Sequence, residues 1–319
     1  MQPIFEAIAA KAADGSSCAV FVGSDGAGHF TKMLHNGIEY ADMQLICEVY
    51  DVLHHGLQLP NKDISRIFAQ WNEGDLSSYL MEISSAILTY QENGTDFIEV
   101  ISDHAAHKGT GAWSSINAIE LGVDASMLVS ALFARFASVS PARGATTLPA
   151  SQVELSTHTK ETSSLSDLSL NDLHDALFLA KLVAYSQGFE VIQAASHSHG
   201  WDVDLAAICR GWRAGCIIRS AVLDDFAAKL TNDSSTGALL HAYSELIERY
   251  LPALRNVVAS STLAGIPTTA LSSALNYLNT LQANRLPTAL VQAQRDYFGA
   301  HGFERVDKDG TFHGPWHAE

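Results

Sequence analysis

Gly26-Ala27-Gly28-His29-Phe30-Thr31-Lys32-Met33-Leu34-His35-Asn36-Gly37-Ile38-Glu39-Tyr40-Ala41-Asp42 is the stretch on which the reading of this chain turns. Past the glycines the residues fall into helical register. Leu34, Ile38, Ala41 and Leu45 recur at three- or four-residue spacing and define an apolar face, and the pattern holds to about Leu53. Lys32, His35, Asn36 and Glu39 stand at i, i+3, i+4 and i+7, which a helix gathers into one polar stripe. Met33, Leu34, Ile38 and Ala41 occupy the other sides, so the helix is expected to be packed, with its stripe lining a cleft. A solvated face with a Lys–Glu pair has the same spacing, and the stripe alone does not choose between the two.

Outward from this helix the sequence reads helix after helix. Further helices are expected near 61–72, 75–92, 125–138, 171–187, 202–209, 215–230, 236–258, 268–282 and 287–298, with Asp63, Asp75, Asp172 and Thr268 near plausible starts. No strand alternation recurs after residue 23. Residues 139–170 are rich in Ser and Thr and read as a surface excursion between helices. From Gly299 to Glu319 the chain reads as non-helical yet carries Phe312 and Trp316, aromatics expected to pack on something, another subunit among the candidates. Upstream, Pro3 to Ala13 is helix-like and Cys18 to Val22 reads as a short buried strand closed by Gly23. One helix and one strand cannot make a domain, so residues 1–23 look like the last unit of an α/β domain. Such a strand would leave unpaired backbone groups on both edges.

Composition bounds the rest. Hydrophobic residues make up 47% of the 319 and charged residues 17%, enough apolar material for a sizeable core. A net charge of -16 argues against general binding to nucleic acid, while leaving room for a local basic cluster that takes a small anion. Cys18, Cys47, Cys209 and Cys216 form no Cys-x-x-Cys pair and read as buried free thiols of a reducing compartment. His104 and His107 lack an evident third ligand, so no metal is expected, and they are read with Glu48, His54 and His55 as structural or solvated. The N-terminus does not read as a signal peptide, and no apolar run reaches the roughly 18 residues that span a bilayer. A soluble cytoplasmic protein is the expectation.

The run from Gly26 to Glu48 resembles the signature segment of the decarboxylating 6-phosphogluconate dehydrogenases. The resemblance recurs, in the family's order, at His107-Lys108-Gly109-Thr110-Gly111-Ala112-Trp113, Phe133-Ala134-Arg135, Tyr185 to Phe189, Trp212 to Arg219, Ala264 to Pro267 and Leu290 to His301. It implies a mainly α fold, the family's helical C-terminal domain over residues 24–319, with a partner-embracing tail from about 299. It also implies an activity: oxidation of 6-phosphogluconate by NADP in the pentose phosphate pathway, then loss of carbon dioxide to give ribulose 5-phosphate. Lys32 matches the family's general base and acid, and Glu39 the acid that protonates the enediol. A lysine acts as base only in its neutral form, which burial or nearby positive charge favours, and Glu39 would need a raised pKa. His35 and Asn36 match residues that orient the substrate. Tyr40, Lys108, Thr110, Arg135, Arg295 and His301 match its phosphate ligands, with Arg295 and His301 reaching the partner's site in a homodimer. Taken singly, Arg135 could be a structural ion pair and His301 a surface histidine.

The family's Gly-x-Gly-x-x-Gly turn does not occur in these 319 residues, and Gly23-Ser24-Asp25-Gly26-Ala27-Gly28 has the wrong spacing. The resemblance therefore implies a truncated chain whose cofactor-binding residues lie elsewhere, in one case on a separate chain, and whose activity alone is in doubt. The alternative is a non-catalytic homologue that binds the sugar phosphate or serves as a dimerisation partner.

Overall fold

Ala27–Asp51 forms one long helix, α2, and the apolar face read from the sequence is its buried face: Leu34, Ile38, Ala41 and Leu45 are each fully buried. The computed structural model describes residues 1–143, 165, 167–231, 235 and 237–316. The chain forms two compact units, Met1–Leu275 and Asn276–Glu319. The first opens with α1 (Gln2–Ile8) and α2, which ends in a π-helical turn at Val52–Gly56. Then come α3 (Asn61–Trp71), α4 (Tyr79–Ile87), the two-residue strands β1 (Gln91–Glu92) and β2 (Thr95–Asp96), α5 (Thr110–Glu120) and α6 (Ser126–Ser138). After them run α7 (Leu170–His199), α8 (Leu205–Gly211), α9 (Val222–Leu230), α10 (Ala238–Ala242), α11 (Ser244–Leu263) and the start of α12 (Thr269–Gln282).

Helix α7 is the core element. It starts at a capping box in which Ser169 and Asp172 satisfy each other's backbone N–H groups, and it is buried on nearly all sides between Leu173 and Ala195. Helices α2 and α11 both pack along it, and α5 and α6 cover α2 from other directions. The contacts of α2 are close. A Cβ on Gly188 of α7 would fall 2.5 Å from Ile38, and one on Gly37 would fall 2.6 Å from the Ser114 hydroxyl of α5. Asp42 and Lys181 add a salt bridge across α2 and α7 at 3.2 Å, each 1% exposed. Removing one partner of such a pair would strand a buried charge, a loss of about 3–5 kcal/mol. Further along α2, the Glu48 carboxylate accepts the Ala270 and Leu271 N–H groups at 2.8 and 2.9 Å and the Thr269 hydroxyl at 2.9 Å, capping α12 from a distant helix. Glu48 is thus structural, as read.

Several boundaries differ from the sequence reading. Helix α1 stops at Ile8 and buries none of its residues. The strand expected at Cys18–Val22 does not form: among the described residues no strand pairs with it, and the nearest pairing is the bridge between Lys11 and Ser17. Helix α4 begins four residues late because Ser78, not Asp75, caps it, and Asp75 instead pairs with His174 at 2.9 Å. Residues 215–221 are not helical, since Ser220 bridges Ser78 and Ala221 donates to the Ser77 carbonyl. Tyr243 separates α10 from α11, and α5 and the short hairpins were not foreseen. Of the cysteines, Cys209 alone is buried; Cys47 is exposed and Cys18 and Cys216 lie between, so the reading of four buried thiols is corrected. The excursion read at 139–170 falls mostly outside the described residues. Among the described residues no helix is long and apolar enough to cross a membrane.

In the second unit, α13 (Thr288–Gly299) is followed by the paired strands β3 (Phe303–Glu304) and β4 (Thr311–Phe312). Asp296, 4% exposed, organises this unit: its carboxylate accepts the N–H groups of Gly302 and Gly314 and bonds to His313 Nδ1 and Trp316 Nε1, at 2.6 to 2.9 Å. The Gly314 N–H foremost, with these other donors, holds its carboxyl well below the usual range. Trp316 therefore packs on its own unit's helix, bonded to Asp296 and 6.2 Å from the Tyr297 ring.

The close approach at Gly188 is testable. Gly188→Ala should lower stability by about 1–3 kcal/mol despite alanine's better helix propensity, because Ile38 has no room to move. Combined with Ile38→Ala, it should cost much less than the sum of the two single changes in denaturant unfolding; simple additivity would mean that the two residues do not press on each other.

Candidate functional site

Of the polar stripe of α2, Lys32 and Asn36 face a cleft of about 600 Å³ between the start of α2 and α5, whereas His35 and Glu39 do not line it, against the expectation that the whole stripe would. The polar wall of the cleft is Lys32, Asn36 and Thr110; its apolar wall includes Phe30, Trp113 and Trp201. Lys32 Nζ donates to Asn36 Oδ1 at 2.8 Å and lies 3.0 Å from His35 Nδ1. Asn36 reaches across to α5, donating from Nδ2 to Thr110 Oγ1 at 3.2 Å. Lys32 itself is exposed at the rim, so the burial expected of a neutral lysine is not supplied by the chain's own described residues.

His35 is 1% exposed, with its ring edge-on to Trp212 at 5.2 Å. Burial, together with the Lys32 charge, pulls its imidazole down to about 4, so the ring is neutral at pH 7. Against the Lys32 ammonium its Nδ1 accepts, which places the proton on Nε2, an atom without a hydrogen-bond partner among the described residues. One turn on, the Glu39 side chain is 12% exposed and its Oε2 has no hydrogen-bond partner among the described residues. Burial raises its carboxyl pKa, opposed by Lys32 and Arg135. That is the direction a carboxylic acid needs in order to hold a proton for delivery.

The next residue, Tyr40, carries the Arg135 guanidinium of α6 over its ring at 3.6 Å. Arg135 also donates to the Ala106 carbonyl at 3.1 Å, and among the described residues no carboxylate pairs with it, against the ion-pair alternative. A Cβ on Gly111 would fall 2.6 Å from the Tyr40 ring, so the α5 glycine keeps the ring and guanidinium in place. The first unit therefore brings together Lys32, His35, Asn36, Glu39, Tyr40, Thr110 and Arg135, with Lys108 exposed two residues before Thr110. Arg295 and His301 belong to the second unit. There Arg295 donates to Gln292 Oε1 at 3.0 Å, His301 lies edge-on to Phe298 at 6.0 Å, and both are exposed.

Three aromatic residues around the stripe were not singled out from the sequence. Phe30 and Trp201 meet at 5.5 Å, Trp201 stacks on His199 at 4.6 Å, and Trp212 buttresses His35. Phe30 and Trp212 stand inside segments that carry the resemblance, which was the available signal. Trp201 lies just past the end of α7, and nothing in the linear sequence ties it to α2.

Comparison with known proteins agrees with this geometry. The family model described as 6-phosphogluconate dehydrogenase, C-terminal domain, matches residues 28–316. The chain is 42% identical over 318 residues to the decarboxylating 6-phosphogluconate dehydrogenase of Escherichia coli (strain K12), covering 98% of this chain and 67% of that protein. It is 41% identical to the same enzyme of Lactococcus lactis subsp. lactis, again over 67% of its length. A solved structure of Plasmodium falciparum 6-phosphogluconate dehydrogenase, described in apo form and in complexes with its cofactor NADP+ and its substrate 6-phosphogluconate, superposes with a TM-score of 0.91 at 35% identity, over 99% of this chain and 68% of that one.

The state of His35 sets a pH dependence. Its folded pKa of about 4 lies below the ordinary 6.5, so its contribution is complete above pH 6.5 and is lost as the pH falls toward 4. Compared with a His35→Asn chain, the native chain should lose on the order of 3 kcal/mol between pH 7 and pH 4. Urea unfolding across that range reads the difference, and a gap that does not change with pH would contradict a buried neutral imidazole.

Proposed function

The chain belongs to the 6-phosphogluconate dehydrogenase family, and we propose that it supplies the substrate-binding and catalytic half of the NADP-dependent oxidative decarboxylation of 6-phosphogluconate to ribulose 5-phosphate and carbon dioxide. One observation carries this reading: an amine (Lys32), a half-dry carboxyl (Glu39) and an aromatic-seated guanidinium (Arg135) are gathered along one stretch of α2.

The chemistry then divides among the residues. Lys32 Nζ, held by Asn36 and His35, takes the proton of the substrate's 3-hydroxyl as that carbon is oxidised. The resulting ammonium then donates to the 3-keto oxygen while the bond to the carboxylate breaks and carbon dioxide leaves. Glu39, whose carboxyl pKa burial raises, delivers a proton to the enediol carbon so exposed while Lys32 takes the enediol hydroxyl proton, leaving the ketone of the product. Asn36, bonded to Thr110 at 3.2 Å, and His35 orient the substrate's hydroxyls and carboxylate. Tyr40, Lys108, Thr110 and Arg135 take the phosphate, for which the planar guanidinium offers paired, charge-assisted hydrogen bonds. NADP, where bound, supplies the hydride acceptor. The aromatic wall of Phe30, Trp113 and Trp201 fits a flat ring beside Lys32, whereas the Gly-x-Gly-x-x-Gly turn that would seat a pyrophosphate does not occur in these residues. Because Lys32 stands exposed at the rim, closure of the cleft by bound ligands would exclude water from around it.

The proposal extends to a homodimer. On α13 Leu290, Val291, Tyr297 and Phe298 are 53 to 73% exposed, an apolar surface suited to packing on a second copy. Arg295 and His301, from the same unit, would then complete the phosphate site of the partner.

Calorimetric titration tests the substrate assignment. 6-Phosphogluconate should bind, gluconate should bind at least ten-fold more weakly, and Arg135→Ala should reduce affinity for the phosphorylated sugar by about 10- to 100-fold while leaving gluconate unaffected. Equal affinity for the two sugars, or an Arg135→Ala chain that still distinguishes them fully, would remove the phosphate role.

A further inference from the structure

Trp212 does more than fill space behind His35. It ends α8, where its backbone N–H donates to the Ile208 and Cys209 carbonyls, both at 3.1 Å, and its carbonyl accepts the Cys216 thiol at 3.1 Å. Its ring is 9% exposed and stacks on Phe189 of α7, with centroids 6.0 Å apart. This wall, fixed through backbone and ring alike, meets the His35 imidazole at 86° with 5.2 Å between centroids. Such a contact sets the edge of one ring against the face of the other.

The two nitrogens of His35 have different surroundings. Nδ1 is turned to Lys32 Nζ at 3.0 Å. Nε2 is buried and has no hydrogen-bond partner among the described residues. A neutral imidazole whose Nδ1 accepts carries its proton on Nε2. A buried N–H calls for a partner, and the electron-rich face of an indole is a weak acceptor. The charged groups facing the ring are Lys32 and Glu39, the latter 4.0 Å from Nδ1, both on α2. The titratable groups midway along α7 are engaged elsewhere: Lys181 with Asp42, Tyr185 with the Ile218 carbonyl, and Glu190 with Ser186. Past α8, Cys216 spends its thiol on the Trp212 carbonyl.

The consequence falls on Lys32. An ammonium has three protons to donate. Lys32 gives one to His35 Nδ1 at 3.0 Å and one to Asn36 Oδ1 at 2.8 Å, which leaves the third for a ligand in the cleft. A proton on Nδ1, or a turned ring, would remove one of the amine's two anchors. We propose that Trp212 is a positioning residue for Lys32: its indole face receives the Nε2–H of His35, keeps Nδ1 open toward the amine, and so fixes the direction in which Lys32 meets the substrate's 3-hydroxyl. The substrate rests on the function proposed above; the contacts from Trp212 through His35 to Lys32 do not.

NMR of the imidazole nitrogens in the 319-residue chain reads these contacts. It should find a proton on Nε2, displaced upfield by the indole ring current, and a bare Nδ1 down to the pH of about 4 at which the ring titrates. Trp212→Phe keeps an aromatic face and should keep this pattern. Trp212→Ala should abolish the upfield displacement, admit water to the ring and raise the pH of its titration by about one unit or more. Near neutral pH Trp212→Ala should also weaken 6-phosphogluconate binding about ten-fold, while Trp212→Phe binds much as the native chain does. A proton on Nδ1 in the native chain, or an Nε2–H with no upfield displacement, overturns the proposal without any variant. So does a Trp212→Ala chain whose sugar binding falls while His35 keeps its native pattern, since Trp212 would then serve packing alone. Unchanged sugar binding with the His35 pattern lost overturns it equally. A native chain with the expected ring signature that binds no 6-phosphogluconate sinks the function proposed above and leaves Trp212's hold on His35 and Lys32 standing.

Discussion

The approach of α2 to α7 is the constraint on which the first unit depends. Ile38 lies so close to Gly188 that no larger residue fits, and four residues on, Asp42 meets Lys181 with both charges out of water. Packing sets the distance between the helices, and the ion pair sets their register, because a one-residue slip would leave two buried charges unpaired. With register fixed on the inner side, the opposite stripe of α2 must face outward at Lys32, Asn36 and Glu39. Gly37 and Gly111 then bring α5 close enough for Asn36 to reach Thr110 and for the Tyr40 ring to seat Arg135. The candidate site is the outer face of a helix whose inner face is the core.

This arrangement gives adjacent polar residues different environments. His35 and Asn36 are neighbours in sequence, yet the imidazole is sealed against Trp212 and neutral while the amide faces the cleft. Lys32 and Glu39, two turns apart, differ in the same way: the amine stands at the rim and the carboxyl sits half-dry with its pKa raised. Two groups of opposite charge on one helix face would ordinarily form a surface pair of little consequence. Separated in depth, the two sit in different surroundings along one helix, the amine in solvent and the carboxyl largely buried.

Much of this was legible in the sequence, for physical reasons. The three- and four-residue spacing of Leu34, Ile38, Ala41 and Leu45 is a direct imprint of helix geometry, so α2 and its stripe could be read without a structure. Asp172 marked the start of α7 as a first-turn acid. What failed depended on groups far apart in sequence. Asp75 looks like a cap until His174 is seen to claim it. Cys18 to Val22 has the composition of a strand, but a strand needs a neighbour and the described residues offer none. Glu48 reads as one more helical acid, yet it receives the N-terminus of a helix more than two hundred residues away. Asp296, next to Arg295 and given no role of its own in the sequence, holds the tail together through four donors that arrive only when the chain folds back.

The central claim is that the outer face of α2 receives 6-phosphogluconate with its reacting carbon at Lys32 and its phosphate toward Arg135. A crystal structure of the chain with that sugar bound tests it most directly. The account predicts the 3-hydroxyl within hydrogen-bond distance of Lys32 Nζ, the enediol-forming carbons next to the Glu39 carboxyl, and the phosphate on Tyr40, Thr110 and Arg135. A sugar bound in the reverse sense, with its phosphate on Lys32, or one bound away from α2 altogether, would contradict it.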